Sequence, residues 1–434
     1  MTPSSNRPAS SSATLSLRAD RSLVRARARS VRYVLCSIAA QKAPPRTDRI
    51  PVNVALVLDR SGSMSGEDKF DLARQAVEQA LGMLHPEDRF SLVVYDNEVD
   101  VLAHSRAATP AARREAIQAL HDVGPRGSTN LSGAWLQGCE QVAEHLSDQA
   151  ISRVLLLTDG LANQGITDRG ELAHHASELR QRGVATSTFG VGNDFDERLL
   201  RDMAHEGGGN FYFISSPAQI TDLLTSELGE ALEVVMRRAA LHVMLPDGME
   251  GRPLNRYRHT VAGGDRELRV ELGDLVSGQE LEVVLELSFP RGEPGETTSV
   301  RVVLNHDEAE VTTAEGLVQW TYANHRENDV QPRDVRVDRE VARLYGALAR
   351  AQATEANRRG DFELARNILD RTVRRIRSYA GNDTELLETI ASLNDIRPDF
   401  VDAPMHVSLL KSHFYVAEMA VKSRSPEGRA RRRQ

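Results

Sequence analysis

The stretch at 52–64, VNVALVLDRSGSM, constrains the fold more than any other part of the sequence. Its first half is a nearly continuous apolar run, which is typical of a strand covered on both faces within a parallel sheet. Asp59, Ser61 and Ser63 follow where that strand should end, and open α/β sheets bind ligands beyond the carboxyl ends of their strands. Gly62 lets the backbone bend tightly, so the pattern predicts three oxygen side chains directed at one point.

A metal bound at that point would need further ligands, because Mg²⁺ requires an octahedron of oxygen atoms and keeps several waters. Two later residues supply candidates. Thr129 lies in a Gly/Ser loop that opens a helix, and Asp159 ends a second buried apolar run, RVLLLTDG. The alternative is a loop without metal, in which Asp59 and the serines cap the following helix.

The full set, Asp59, Ser61, Ser63, Thr129 and Asp159, resembles the metal-ion-dependent adhesion site (MIDAS) of von Willebrand factor type A (VWA) domains. Every position of that motif is filled here, in the expected order. The resemblance implies that Ser61 and Ser63 ligate the metal directly and that Thr129 does so in one conformational state. It also implies that the two aspartates act mostly through bound waters. Mg²⁺ is the expected metal, and Mn²⁺ and Ca²⁺ are alternatives.

The pattern around this stretch predicts the fold class. Apolar runs and helical periodicities alternate across residues 50–236, which indicates an α/β domain with a doubly wound, mainly parallel sheet. The order of these elements resembles a VWA domain, with its last helix expected to run from Pro217 to about Arg237. Residues 14–45 and 238–325 instead consist of short strands separated by turns. We expect them to form one antiparallel β-sandwich, into which the VWA domain is inserted.

The remaining segments carry weaker signals. Residues 1–13 are rich in serine and proline and are expected to be disordered. Residues 334–396 have apolar stripes at helical spacing and predict an α-helical hairpin or bundle, in which Gly360 ends one helix and Asp361 caps the next. Residues 397–434 are expected to form an irregular arm with a basic tail.

Composition excludes several classes of protein. The formal net charge of −8 argues against a dedicated nucleic-acid-binding protein. The two cysteines, Cys36 and Cys139, form no metal-binding or disulfide pattern. No apolar run is long enough for a membrane helix, and the N-terminus lacks the apolar core of a signal peptide, so a cytoplasmic location is expected.

No pattern of residues predicts catalysis, and we therefore expect a protein that is not an enzyme. There is no phosphate-binding GxxxxGK[ST] loop, and Met64 stands where a nucleophile elbow would need serine. The VWA resemblance implies a metal-dependent protein-protein interaction module or adaptor, whose partner presents an exposed Asp or Glu. By analogy with bacterial VWA proteins, that partner is an AAA-type (MoxR-like) ATPase or a signalling kinase system.

Two other functions stay open at this point. In the first, the protein is a scaffold whose C-terminal helices bind the partner while the metal site is structural. In the second, it is a metal-dependent hydrolase, which would need a general base and a substrate pocket that the sequence does not reveal.

Overall fold

The computed structural model describes residues 13–42, 49–264, 266–306 and 311–432. The chain divides into two compact units. The sandwich unit comprises Met1–Pro45, Val234–Met405 and Val416–Gln434, and the parallel-sheet unit comprises Arg46–Glu233 and His406–Tyr415. The predicted fold class is confirmed: a mainly parallel six-stranded sheet with flanking helices is accompanied by antiparallel sheets and C-terminal helices.

Two sheets form the sandwich unit. The smaller has the strand order β1-β3-β14-β11, and the larger has the order β12-β13-β10-β15-β16-β2. All pairings are antiparallel except that of β2 with β16, which is parallel. The strands are β1 (Ala13–Ala19), β2 (Leu23–Arg25), β3 (Ser30–Ala40), β10 (Val234–Met244), β11 (Glu250–Pro253), β12 (Arg258–Ala262), β13 (Glu267–Val276), β14 (Glu280–Phe289), β15 (Thr297–His306) and β16 (Val311–Ala323).

The core of this unit explains why the early strands join the later ones. Val34 and Cys36 of β3 pack in one buried cluster with residues of both sheets, including Val283, Val302 and Trp320. Alternating apolar residues of both segments therefore fill the same interior. The prediction that residues 1–13 are disordered is wrong for the last of them, because Ala13 is fully buried and is the first residue of β1. Residues 1–12 lie outside the described residues.

Helices complete the sandwich unit: α7 (His325–Val330), α8 (Val335–Arg358), α9 (Phe362–Ala380) and α10 (Thr384–Ile396). Val337, Val341 and Leu344 of α8 pack on Leu35 and Val284 of the smaller sheet. As predicted, Gly360 follows α8 with a positive φ of 80°, and the Asp361 side chain accepts a hydrogen bond from Leu364 N at the start of α9.

The expectation of an irregular arm from 397 to 434 is wrong. Helix α11 (Val407–Val421) occupies much of this segment. Its apolar periodicity is interrupted by Lys411, His413 and Glu418, all of which are buried in the structure. Charged residues of this kind predict a solvent-exposed segment, and their burial is favourable only when they have partners in the tertiary structure. The basic tail contacts β14, because the Arg431 carbonyl accepts a hydrogen bond from Glu280 N.

The parallel-sheet unit contains one sheet of strand order β6-β5-β4-β7-β8-β9, in which β6 alone is antiparallel to its neighbour. Its strands are β4 (Val52–Asp59), β5 (Arg89–Tyr95), β6 (Val99–Ala107), β7 (Ile151–Thr158), β8 (Val184–Val191) and β9 (Gly208–Ile214). Its helices are α1 (Lys69–Met83), α2 (Pro110–His121), α3 (Leu131–Ala143), α4 (Arg169–Gln181), α5 (Glu197–Glu206) and α6 (Ile220–Leu232).

The central strands β4 and β7 are buried at every position, as their apolar runs predict. The last helix of this unit, however, ends at Leu232 rather than near Arg237. The following residues begin β10, where Val234 and Met236 pair with β13. Sheet pairing has overridden a helical periodicity that continued past the helix.

Among the described residues, no helix combines the length and the apolar composition that crossing a bilayer requires. Cys36 and Cys139 are free thiols, and both are buried.

Candidate metal centre

The five predicted site residues lie at the carboxyl ends of β4 and β7 and in the loop before α3. Leu58 of β4 pairs with Leu157 of β7, so Asp59 and Thr158 lie side by side at the end of the two strands. Their side chains meet there, since Thr158 Oγ1 donates a hydrogen bond to Asp59 Oδ2 at 2.7 Å. Parallel pairing of two buried strands thus fixes the position of the first aspartate.

The two serines connect the ends of these strands. Ser61 N donates to Asp59 Oδ1 at 2.7 Å, and the hydroxyls of Ser61 and Ser63 are 3.0 Å apart. Ser63 Oγ in turn donates to Asp159 Oδ1 at 2.6 Å. Ser61 and Ser63 therefore connect the two aspartates, through the backbone N–H of Ser61 on one side and the Ser63 hydroxyl on the other.

Thr129 reaches the same place from the other side. A Cβ atom added at Gly160 would lie 3.2 Å from Thr129 Oγ1 and 3.9 Å from Ser63 Oγ. The Thr129 backbone is held by Asn163 N, which donates to its carbonyl at 3.2 Å. Because Gly160 has no side chain, a small space stays open between the hydroxyls of Thr129 and Ser63, and we call this space the Gly160 cradle.

The site residues differ in how much of each is exposed to solvent. Asp59, Ser61, Thr129 and Asp159 are each at most 4 % exposed, whereas Ser63 is exposed. Leu161, two residues beyond Asp159, is 51 % exposed at the same strand end. The carboxylates therefore lie at the base, and the hydroxyl of Ser63 lies where an incoming group would enter.

Burial also governs the electrostatics of the base. Loss of water raises the pKa of Asp59 to about 6, and the nearby negative charge of Asp159 acts in the same direction. Hydrogen bonds from Thr158 and Ser61 partly oppose this increase, because they stabilise the charged form. Burial likewise raises the pKa of the Tyr95 hydroxyl, which lies at the end of β5 near Asp59.

The donor set fits a hard divalent cation. Hydroxyl and carboxylate oxygens are the ligands that Mg²⁺ accepts, and the two atoms nearest the cradle at Gly160 are the hydroxyl oxygens of Thr129 and Ser63. Among the described residues, no three His, Cys, Asp or Glu side chains cluster in a way that could hold a metal ion. A metal bound here would therefore depend on Ser61, Ser63 and Thr129 together with the two aspartates.

Sequence reasoning missed two residues that contact this set. Thr158 precedes Asp159 directly and orients Asp59. Lys69 is the first residue of α1, and its Nζ atom donates a hydrogen bond to Asp159 Oδ2 at 2.8 Å. The position of Thr158 before a site aspartate was a usable signal. Lys69 carried none, since a lysine at the start of a helix usually faces solvent.

Comparisons with known proteins concern the domain that holds these residues. Residues 53–226 match the family model of the von Willebrand factor type A domain. The protein YfbK of Escherichia coli is 25 % identical over 304 residues, which cover 66 % of this chain and 51 % of YfbK, so the chain spans about half of that relative. Human inter-alpha-trypsin inhibitor heavy chain H1 is 30 % identical over 173 residues, which cover 38 % of this chain and 19 % of that protein.

Two solved structures share the fold over most of the chain. A von Willebrand factor type A protein from Catenulispora acidiphila has a TM-score of 0.71 at 16 % identity, covering 91 % of this chain and 90 % of that one. The ArnB paralog VWA2 from Sulfolobus acidocaldarius has a TM-score of 0.59 at 15 % identity, covering 94 % of this chain and 99 % of that one. The chain thus has relatives in bacteria, and it contains a von Willebrand factor type A domain.

Proposed function

We propose that this protein is a divalent-metal-dependent protein-interaction module without enzymatic activity. Its metal, Mg²⁺ in the first instance, is held by Asp59, Ser61, Ser63, Thr129 and Asp159 and binds a carboxylate of a partner protein. Domains of the von Willebrand type A family are generally metal-dependent interaction modules. The observation that carries the proposal is the set of contacts that links Asp59, Ser61, Ser63 and Asp159, with Thr129 Oγ1 and Ser63 Oγ both bordering Gly160.

The chemistry of the donor set favours an acidic partner. Hydroxyl ligands are neutral, so they leave much of the charge of a divalent cation uncompensated. When bound, the metal supplies an electrophilic position that a carboxylate oxygen from outside can occupy. Asp59 is held through both of its oxygens, by Ser61 N and Thr158 Oγ1, and such partners orient groups that surround a metal.

The partner is identified by chemistry alone: a protein with an exposed Asp or Glu that fits beside Leu161, the exposed apolar residue at the strand end. An AAA-type ATPase or a signalling kinase system stays a prediction by analogy, and so does the cytoplasmic location.

Affinity capture from cell extract tests the proposal. We expect a protein to be retained by immobilised wild type in Mg²⁺ and released by EDTA, and to be absent with Ser61→Ala combined with Ser63→Ala. Ser65→Ala is the matched control, because Ser65 lies in the same loop and its hydroxyl donates to the Gly62 carbonyl instead. Substituting the exposed acidic residues of the captured protein should then abolish retention. Equal retention in Mg²⁺ and EDTA would contradict metal-bridged binding.

A second candidate function, binding by the C-terminal helices, is supported by one cavity. This cavity of about 370 Å³ is lined by α8, α10 and residues 416–420. One of its guanidinium nitrogens, Arg343 Nη2, is buried without a hydrogen-bond partner among the described residues. Buried polar atoms are normally satisfied, so the cavity is suited to a ligand that accepts a hydrogen bond.

A cavity-filling substitution separates the two candidates. A side chain at Gly346 would point at Thr389 and Leu393, whose atoms lie 3.6–3.9 Å from an added Cβ. We expect Gly346→Leu to leave metal-dependent capture unchanged and to abolish any capture that persists in EDTA. Deleting residues 334–434 is less informative, because His406–Tyr415 belong to the parallel-sheet unit, where Lys411 pairs with Glu197.

A further inference from the structure

Lys69 is the one basic side chain among the described residues that forms an ion pair with a site carboxylate. Its Nζ atom lies 2.8 Å from Asp159 Oδ2, while Asp159 Oδ1 accepts the hydrogen bond from Ser63. The Asp159 side chain is fully buried, and that of Lys69 is 14 % exposed. An ammonium in such a partly buried position interacts with the site charges much more strongly than a solvated one.

The backbone before Lys69 adopts an uncommon conformation. Glu67 and Asp68 have φ values of 54° and 56°, in the left-handed region that non-glycine residues rarely occupy. The two residues directly precede the first turn of α1, and the chain enters the helix with the Lys69 side chain directed at Asp159. Strained backbone of this kind is found where a side chain must be held in a particular position.

The formal charges of the site depend on this residue. The two ionised aspartates and Lys69 together carry one negative charge, and a divalent cation changes this to one positive charge. A carboxylate from a partner then makes the assembly neutral. Without Lys69, the cation alone neutralises the aspartates, and a partner carboxylate would leave one negative charge in a partly buried site, which is unfavourable.

We propose that Lys69 determines the ligand preference of this site, by weakening the binding of the divalent metal and strengthening the binding of a carboxylate to the metal-loaded protein. This inference rests on the proposed function. It assigns to Lys69 two effects of opposite sign, whereas a residue that only stabilises the loop would have effects of the same sign on both.

The first measurement is Mg²⁺ affinity by isothermal titration calorimetry. We expect Lys69→Gln to bind Mg²⁺ roughly tenfold more tightly than wild type, because a repulsive charge next to the metal is removed. Lys69→Arg keeps the charge and should stay close to wild type. Arg74→Gln is the matched control, since it removes a positive charge from the same helix at a residue that pairs with Asp71.

The second measurement is the effect of a carboxylate on metal affinity. Coupling between two ligands is reciprocal, so a carboxylate that prefers the loaded site also tightens metal binding. We expect sodium acetate, compared with sodium chloride at equal ionic strength, to tighten Mg²⁺ binding more in wild type than in Lys69→Gln. Acetate in solution affects free Mg²⁺ equally in both titrations, so the difference between the proteins isolates the site.

Each outcome separates this inference from the proposed function. No Mg²⁺ binding by wild type would overturn both. Mg²⁺ binding by wild type with unchanged or weaker affinity in Lys69→Gln, or with an equal response to acetate, would overturn the role of Lys69 alone. Circular dichroism shows whether Lys69→Gln is folded. If it is not, the same two measurements are made with Lys69→Met, which preserves the length of the side chain.

Discussion

Among the buried carboxylates of the parallel-sheet unit, Glu227 and the pair Asp59 and Asp159 have surroundings that are built differently. In the closed cluster, Glu227 accepts hydrogen bonds from Arg153, Ser187, Asn210 and Tyr212 at 2.6–3.0 Å. In the open cluster, Asp59 accepts a hydrogen bond from Ser61 N, and Asp159 accepts hydrogen bonds from Ser63 and Lys69. Ser63 is exposed to solvent.

The difference lies in which groups satisfy the carboxylate. Glu227 is completely buried and is neutralised by an arginine that is itself only 8 % exposed in its side chain, so nothing from outside is required. The open cluster has two negatively charged carboxylates and only one lysine among the described residues. Several of its hydrogen-bond donors are hydroxyls, whose protons can rotate toward different acceptors. A polar cluster that is fully satisfied stabilises the fold, whereas one with excess negative charge at an opening is suited to a cation.

The largest effect is expected in the closed cluster. Glu227→Gln should lower the free energy of unfolding by about 3–5 kcal/mol, because it removes the negative charge that pairs with the buried guanidinium of Arg153. Urea unfolding followed by circular dichroism measures this loss, which should be equal in Mg²⁺ and in EDTA. Adding Arg153→Met to Glu227→Gln should restore part of it. A loss that depends on Mg²⁺ would contradict the division into two clusters.

The next effect concerns the open cluster. Mg²⁺ at about one hundred times its dissociation constant should raise the free energy of unfolding of wild type by about 2.7 kcal/mol, because the ion binds the folded state alone. Ser61→Ala combined with Ser63→Ala should abolish this increase, whereas Ser65→Ala should retain it. An increase of similar size in the double variant would show that Mg²⁺ binds elsewhere.

The smallest effect tests the cradle itself. Gly160→Ala places a methyl group 3.2 Å from Thr129 Oγ1, which requires a shift of a few tenths of an ångström. We expect Mg²⁺ affinity to fall roughly 3–10-fold, about 1 kcal/mol, with little change in the stability measured in EDTA. Calorimetric titration with Mg²⁺ and unfolding in EDTA provide the two values. Unchanged Mg²⁺ affinity would show that Gly160 does not border the metal in the open cluster.

The regular parts of the parallel-sheet unit were predictable from local pattern. The apolar runs before Asp59 and Asp159 form the strands Val52–Asp59 and Ile151–Thr158, which are buried at every position. The sequence also predicted that Asp59, Ser61, Ser63 and Asp159 lie close together, because polar residues that follow adjacent buried parallel strands meet at one edge of the sheet. Thr129 follows no strand, and it was predicted from its Gly/Ser loop and from the VWA resemblance. The role of these five residues as metal ligands stays a prediction.

Predictions were wrong where a residue's neighbours in space outweigh those in sequence. Helix α11 was missed because Lys411 looked solvent-exposed, yet it is 2 % exposed in its side chain and pairs with Glu197 at 2.7 Å. Strand β10 begins at Val234 because β13 offers hydrogen-bonding partners that the helical pattern near residue 236 does not reveal.

By itself, the sequence determined the alternation of strands and helices in the von Willebrand type A domain and which oxygen side chains follow its central strands. Both depend on periodicity and on which residue types follow a strand, and both are local properties. Only the tertiary structure decided that Thr158 orients Asp59, that Glu227 is neutralised within a closed cluster, and that Lys69 pairs with Asp159. Ion pairs and hydrogen bonds between residues distant in the chain depend on distances that no local pattern encodes.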